Sequence, residues 1–159
     1  MSSTIFRSAP VFGPADRFTV SLQQLIRKNP WFFLLPGDGD ALIQPIWIDD
    51  LISCLVWANR DEKLANQVVQ VGGPEALSFR QVVQMVMEAA NMHRSFISIS
   101  PSYLRLLSLW IEHSDRKFPV STYWLDYLSM NRICPLDTLP KRFGLLPTRL
   151  SQHLDHLRG

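Results

Sequence analysis

Over the first hundred residues the apolar positions switch between a spacing of two and a spacing of three to four, the mark of a chain that alternates strands with helices. Thr4-Ile-Phe-Arg7 reads as a strand that leaves its sheet by Pro10, since proline has no N–H for a ladder. Gly13-Pro14 marks a turn. Phe18, Leu22, Leu25 and Ile26 then recur at helical spacing until Asn29-Pro30 closes the segment. Trp31-Phe-Phe-Leu-Leu-Pro is a bulky apolar run too short for a helix, and Gly37-Asp-Gly-Asp after it breaks the chain into a turn.

The stretch from Gln44 to Ala58 predicts a strand-to-helix unit. It opens on the β-favouring Ile46 and Ile48, passes Asp49 and Asp50, and continues into Leu51, Ile52, Leu55 and Val56, apolar positions that share one helical face. One of the two carboxylates is expected to N-cap this helix and the other to favour its dipole. Val68-Val-Gln-Val is a further buried strand. Ser78 and Gln81 then have capping-box spacing, Leu77 and Val82 can staple, and Val82, Val83, Val86 and Ala90 form an apolar face. Phe96-Ile-Ser-Ile-Ser alternates like a half-buried strand, with Ser100 placed to cap a helix that has Pro101 first and Leu104, Leu107, Trp110 and Ile111 on its apolar side. Ser121 is expected to cap a helix reaching about Met130, and Thr148 a short terminal helix burying Leu150, Leu154 and Leu157. The predicted order is β, α, β, α, β, α, β, α, α, α in one domain, residues 1–159, of α/β class.

Composition narrows the function classes. Of 159 residues, 47% are hydrophobic and 19% charged, which suits one globular core. The net charge is only +2 and the longest basic runs are pairs such as Lys141-Arg142, so no nucleic-acid footprint is present. Cys54 and Cys134 lie far apart without zinc or redox spacing, as expected of reduced thiols in a cytoplasmic protein, with Cys54 packing as a small hydrophobe. No apolar run has the length of a membrane span, and Met-Ser-Ser-Thr-Ile-Phe-Arg lacks a signal-peptide pattern. The first strand begins with almost no lead-in, as though the chain starts inside a fold.

Candidate chemistry is sparse. Asp38 and Asp40 lack the remaining ligands and closing Glu of a calcium loop. Gly72-Gly73 lacks the third glycine of a dinucleotide fingerprint and reads as a tight turn. His153 and His156 are three apart without a third ligand, so they read as exposed helix residues and no metal site is expected. No nucleophile elbow, metalloprotease helix or P-loop occurs, and no catalytic residue is assigned.

Four blocks taken together, Ile5-Phe-Arg-Ser-Ala-Pro-Val-Phe-Gly-Pro, Gln44-Pro-Ile-Trp-Ile-Asp-Asp-Leu, Val71-Gly-Gly-Pro-Glu-Ala-Leu-Ser-Phe-Arg and the closing Phe-Gly-Leu-Leu-Pro-Thr, resemble the C-terminal half of a short-chain dehydrogenase/reductase. The resemblance is to the atypical and extended branch, with its NAD-dependent sugar-nucleotide epimerases and dehydratases and the reductase-like accessory subunit of respiratory complex I. It implies a partial Rossmann-type fold: the C-terminal strands of a parallel sheet plus a helical substrate lobe. It places Ser8 and Ala9 near the cofactor carboxamide and Pro10 at the edge of the substrate pocket. Arg17 would face the substrate side, where it can bind an anionic group or bond neighbouring carbonyls, and Gln44 and Trp47 would form pocket wall. Ser8 departs from the family's common Arg-Pro pattern, and Trp47 stands where histidine is frequent.

The family's Gly-x-x-Gly-x-x-Gly turn and Tyr-x-x-x-Lys pair are both missing, since Leu107, Tyr127 and Asn131 follow Tyr103, Tyr123 and Tyr127 at the lysine spacing. The resemblance therefore implies the substrate-binding portion of an NAD(P)-dependent oxidoreductase or epimerase-like protein whose nucleotide-binding half lies outside this chain. By itself the chain is expected to be inactive and to bind no cofactor. The alternative is a non-enzymatic structural or assembly module like the complex I subunit. Expected partners are a small-molecule substrate and either the missing N-terminal half or a second copy joined through the exposed first strand.

Overall fold

The computed structural model describes residues 3–104, 106 and 133–158. Eight strands and three α-helices follow one another among them: β1 (Ile5–Ser8), β2 (Val11–Phe12), α1 (Thr19–Lys28), β3 (Phe32–Pro36), β4 (Leu42–Ile43), β5 (Ile46–Trp47), α2 (Ile48–Ala58), β6 (Val68–Val71), β7 (Leu77–Ser78), α3 (Phe79–Ala89) and β8 (Ser95–Ile99). The apolar run after Trp31 is strand β3. The chain closes on a π-type turn, Leu139–Phe143, and two 3-10 turns, Leu150–Gln152 and Asp155–Leu157, in place of the expected terminal α-helix. The expected helix from Ser121 to Met130, and Leu107, Trp110 and Ile111, lie outside the described residues; residues 101–104 are helical.

The strands pair two by two. β1–β6, β2–β5 and β3–β8 are parallel, and the short β4–β7 is antiparallel. Parallel partners need a crossover, and helices α1 to α3 lie between them in sequence, which makes the class α/β as predicted. In β6 Val69 and Val71 are buried while Val68 and Gln70 are exposed, so the β1–β6 pair has one covered face.

Two apolar clusters result. The larger joins α1, β3, α3 and the C-terminal turns through residues such as Leu22, Ile26, Phe33, Val83, Val86, Leu154 and Leu157. The smaller joins the inner face of β1–β6 to α2 and the π-type turn through Val69, Val71, Cys54, Leu139 and Phe143. Helix α3 matches its sequence closely. Ser78 Oγ accepts from Gln81 N–H at 3.2 Å, Gln81 Oε1 accepts from Ser78 N–H at 2.8 Å, and Val82, Val83 and Val86 are fully buried. Each such valine contributes on the order of 1.5 kcal/mol or more by leaving water.

Helix α2 departs from expectation in two ways. Neither Asp49 nor Asp50 is its N-cap. That position is Trp47, which provides no side-chain cap, and both carboxylates sit in the first turn, where the dipole favours them. Of the predicted apolar face only Leu51 joins the smaller cluster, and the fully buried residue is Cys54. Ile52, Leu55 and Val56 are exposed at 47%, 45% and 50%. The helix carries two apolar stripes, and periodicity cannot say which of them the core takes.

Cys54 packs as a small hydrophobe. Burial, helped by the nearby Asp50 carboxylate, raises its thiol from 9.0 to about 11. Because the folded state holds this proton more tightly than the unfolded chain, stability is fully present below pH 9 and falls as pH rises from 9 towards 11. Denaturant midpoints across that window are expected to drop more steeply for the native protein than for Cys54→Ala. Equal slopes would sink the assignment.

Candidate functional site

The candidate site sits at the seam between the two clusters, where β1 runs on into β2 and meets β5. Ser8 ends β1 and is exposed. Ala9 is 6% exposed and its N–H donates to the Val71 carbonyl at 2.9 Å, while the Pro10 carbonyl accepts from Ile46 N–H at 2.9 Å. Proline suffices at position 10 because only its carbonyl is used there. Val11 and Phe12 then lie opposite Ile46 and Trp47, which sets Trp47 beside Phe12 and Pro10 beside Ile46. Ile46 packs into the smaller cluster and Trp47 against the larger one.

The Trp47 indole is held on several sides. Its ring centroid is 5.2 Å from that of Phe12, the His153 ring stacks on it at 4.4 Å, and Nε1–H donates to Asp49 Oδ2 at 3.0 Å. Gln44 is fully buried. Its Nε2 donates to the Gly73 carbonyl at 2.7 Å, its Oε1 accepts from Cys134 N–H at 2.7 Å, and its backbone carbonyl accepts from Gly73 N–H at 3.2 Å. The Gly72-Gly73 pair is a close approach of two backbones rather than a phosphate cradle: a Cβ on Gly73 would lie 1.9 Å from the Pro45 carbonyl oxygen, and one on Gly72 would lie 2.8 Å from Gln44 Cδ.

Arg17 follows the tight 13–16 turn, in which Asp16 N–H donates to the Gly13 carbonyl at 3.1 Å and Gly13 N–H to Asp16 Oδ2 at 2.9 Å. The guanidinium is exposed and has no ion-pair partner among the described residues. The strongest local organiser is its neighbour Asp16, which sequence reasoning passed over. Its Oδ1 accepts from the N–H groups of Phe18 and Val20 at 2.7 and 3.1 Å, and its Oδ2 accepts from Thr19 Oγ1–H at 2.6 Å. A carboxylate just ahead of a helical period was the available signal. His156 Nε2, 3.1 Å from Thr19 Oγ1, completes the cluster. With the Thr19 proton committed to Asp16, the imidazole is the donor in that contact.

His153 and His156 thus tie the C-terminal turns to two separate points, Trp47 and the start of α1. Thr148 does not cap a helix either. Its N–H donates to Asp50 Oδ2 at 2.7 Å, so Asp50 anchors the incoming C-terminal segment. Asp38 and Asp40 belong to a turn with Gly37 and Gly39 at φ +58° and +74°, which Arg80 Nε closes by donating to the Asp38 carbonyl at 3.1 Å. No group of three or more metal-ligating side chains occurs among the described residues, and no described helix is long and apolar enough to cross a membrane.

No protein-family model matches this sequence, and no curated protein is significantly similar to it. Solved structures do resemble it. UDP-glucose 4-epimerase of Thermotoga maritima, solved with UDP-glucose, is 16% identical with a TM-score of 0.66, over 99% of this chain and 45% of its own. An epimerase of Methanothermobacter thermautotrophicus is 11% identical with a TM-score of 0.70, over 99% and 42%. UDP-glucuronic acid 4-epimerase of Bacillus cereus, solved with UDP-glucuronic acid and NAD, is 24% identical with a TM-score of 0.50, over 61% and 32%. The chain spans less than half the length of each of these three structures. At such identities the likeness establishes the fold: the chain has the α/β, partial Rossmann-type architecture of sugar-nucleotide epimerases.

Proposed function

We propose that this chain is the substrate-side portion of an NAD(P)-dependent oxidoreductase or sugar-nucleotide epimerase-like cytoplasmic protein, unable to bind NAD(P) tightly or transfer hydride by itself. The observation that carries this reading is the match of nearly the whole chain to less than half of a UDP-glucose 4-epimerase. Pro10 follows the end of β1 and Trp47 ends β5, and the carboxyl ends of parallel strands are where open α/β sheets take ligands.

In this reading the exposed Arg17 guanidinium receives the anionic part of the substrate, since its planar fork suits phosphate oxygens. Trp47 and Pro10 form the wall, and Gln44 backs it from the interior. Ser8 and Ala9 border the position of the cofactor carboxamide. The chain's own residues do not fit the remainder of a dinucleotide. Gly72 and Gly73 are spent on approaching Gln44 and Pro45, and Gly37 and Gly39 on the turn that Arg80 closes. The pyrophosphate cradle and the general acid and base would come from a nucleotide-binding half outside this chain. A second reading, a non-enzymatic module like the reductase-like subunit of complex I, is favoured by the internal use of Gln44, Asp49 and Asp50 as structural hydrogen-bonding groups.

A heteronuclear NMR titration tests the proposal. UDP-glucose is expected to shift the Trp47 indole N–H signal. Arg17→Ala is expected to weaken that binding at least about tenfold, a charge-assisted hydrogen bond being worth ~1.5–3 kcal/mol. Tight one-to-one binding of NADPH to the chain alone would overturn the first statement. An indole signal unmoved by sugar nucleotide would leave the module reading.

A further inference from the structure

Among the described residues one fully buried side-chain oxygen lacks a hydrogen-bond partner, Oε1 of the half-buried Glu75. The carboxylates around the seam are all in use: Asp16 on the head of α1, Asp49 on the Trp47 indole and Asp50 on Thr148. A buried acceptor without a donor costs stability, and native chains keep few of them. The loop that carries Glu75 is fixed at both ends. Ahead of it, Gly73 N–H donates to the Gln44 carbonyl, Gln44 Nε2 donates to the Gly73 carbonyl, and a Cβ on Gly73 would meet the Pro45 carbonyl oxygen at 1.9 Å. Behind it, Leu77 pairs with Ile43 in β4–β7. Glu75 therefore has a set place just past the carboxyl end of β6, on the loop that packs against Gln44 and Pro45. Arg17 stands just past the carboxyl end of β2, and β6 and β2 each belong to a parallel pair.

We propose that Glu75 receives the sugar end of the substrate, its Oε1 accepting from hexose hydroxyls while Arg17 takes the phosphates. The inference rests on the sugar-nucleotide reading and adds a polarity to it. An ionised carboxylate repels phosphate and accepts from hydroxyls in charge-assisted bonds, whereas a guanidinium has donors only. Residues of opposite sign past the ends of two strands thus admit the substrate in one orientation. A ligand that brings O–H groups satisfies the buried oxygen, and one without them leaves it unpaired. Buried acceptors of this kind discriminate strongly between the two.

Calorimetric titration of the full chain with UDP-glucose and with UDP separates the two ends. Arg17→Ala is expected to weaken both, since both carry the phosphates. Glu75→Met keeps the length of the side chain and removes its oxygens. It is expected to weaken UDP-glucose at least about tenfold and to leave UDP unchanged. Glu75→Gln, which keeps one acceptor, should retain part of the UDP-glucose affinity. With no nucleotide present, Glu75→Met is expected to raise the denaturant midpoint, because the orphaned acceptor is gone. A native chain that binds neither nucleotide would sink the sugar-nucleotide reading and this inference with it. UDP-glucose bound equally well by the native and Glu75→Met chains, or UDP and UDP-glucose lost together, would overturn the role of Glu75 and leave the reading standing. A midpoint lowered by Glu75→Met would mean that the carboxylate is used inside the chain, and would overturn it as well.

Discussion

Replacing Gln44 with methionine lowers the unfolding free energy by about 3 kcal/mol, because each buried group left without a partner costs roughly 1–3 kcal/mol. Methionine has nearly the same length and shape, so packing changes little and the loss isolates the hydrogen bonds. The Gly73 carbonyl loses the Nε2 donor and the Cys134 N–H loses the Oε1 acceptor. No nearby glycine can relax to compensate, since the Gly73 Cα already lies against the Pro45 carbonyl. Denaturant titration should show a lower midpoint with an unchanged slope, the sign of altered stability without altered compactness. Hydrogen exchange at the Cys134 amide should accelerate beyond what the global loss explains. A midpoint within experimental error of the parent would refute the role assigned to Gln44.

Asp16→Ala is the second large effect, at about 3 kcal/mol: a lost helix cap costs roughly 0.5–2 kcal/mol and an orphaned buried hydroxyl roughly 1–3. The carboxylate accepts from Gly13, Phe18 and Val20 N–H and from the Thr19 hydroxyl, and Thr19 is fully buried. Without it the 13–16 turn opens, the first turn of α1 frays, and the hydroxyl on which His156 rests loses its orientation. Asp16→Asn retains one acceptor oxygen and should recover part of the loss. Thr19→Val keeps the shape, leaves the backbone contacts of Asp16 in place, and should cost less than Asp16→Ala. If the asparagine variant is as unstable as the alanine one, the acceptor role of this side chain is wrong.

Both residues show why the candidate site was only partly legible. Gln44 appears in the sequence as one polar residue beside a proline, yet its two side-chain partners lie 29 and 90 positions away. Asp50 looks like a cap because it stands where a helix begins, yet it holds a residue 98 positions further on. His153 and His156 read as a surface pair, since nothing local places Trp47 and Thr19 against them. Asp16 was legible in principle, because all its hydrogen bonds reach partners within four residues.

Sequence alone determined what depends on neighbours within a turn or two. The capping box and buried stripe of α3, the φ-positive glycines of the 37–40 turn, and the alternation of strands with helices are set by interactions between residues a few positions apart. Only the tertiary structure decided which of two apolar stripes on α2 is buried, that Gly73 is a point of contact between backbones, and that the C-terminal turns are bolted to Trp47 and to the head of α1. The physical reason is the same in each case. Period and propensity describe how a segment is disposed to bury a face, while what covers that face is fixed by segments remote in sequence, and α2 still presents one stripe that no described residue covers.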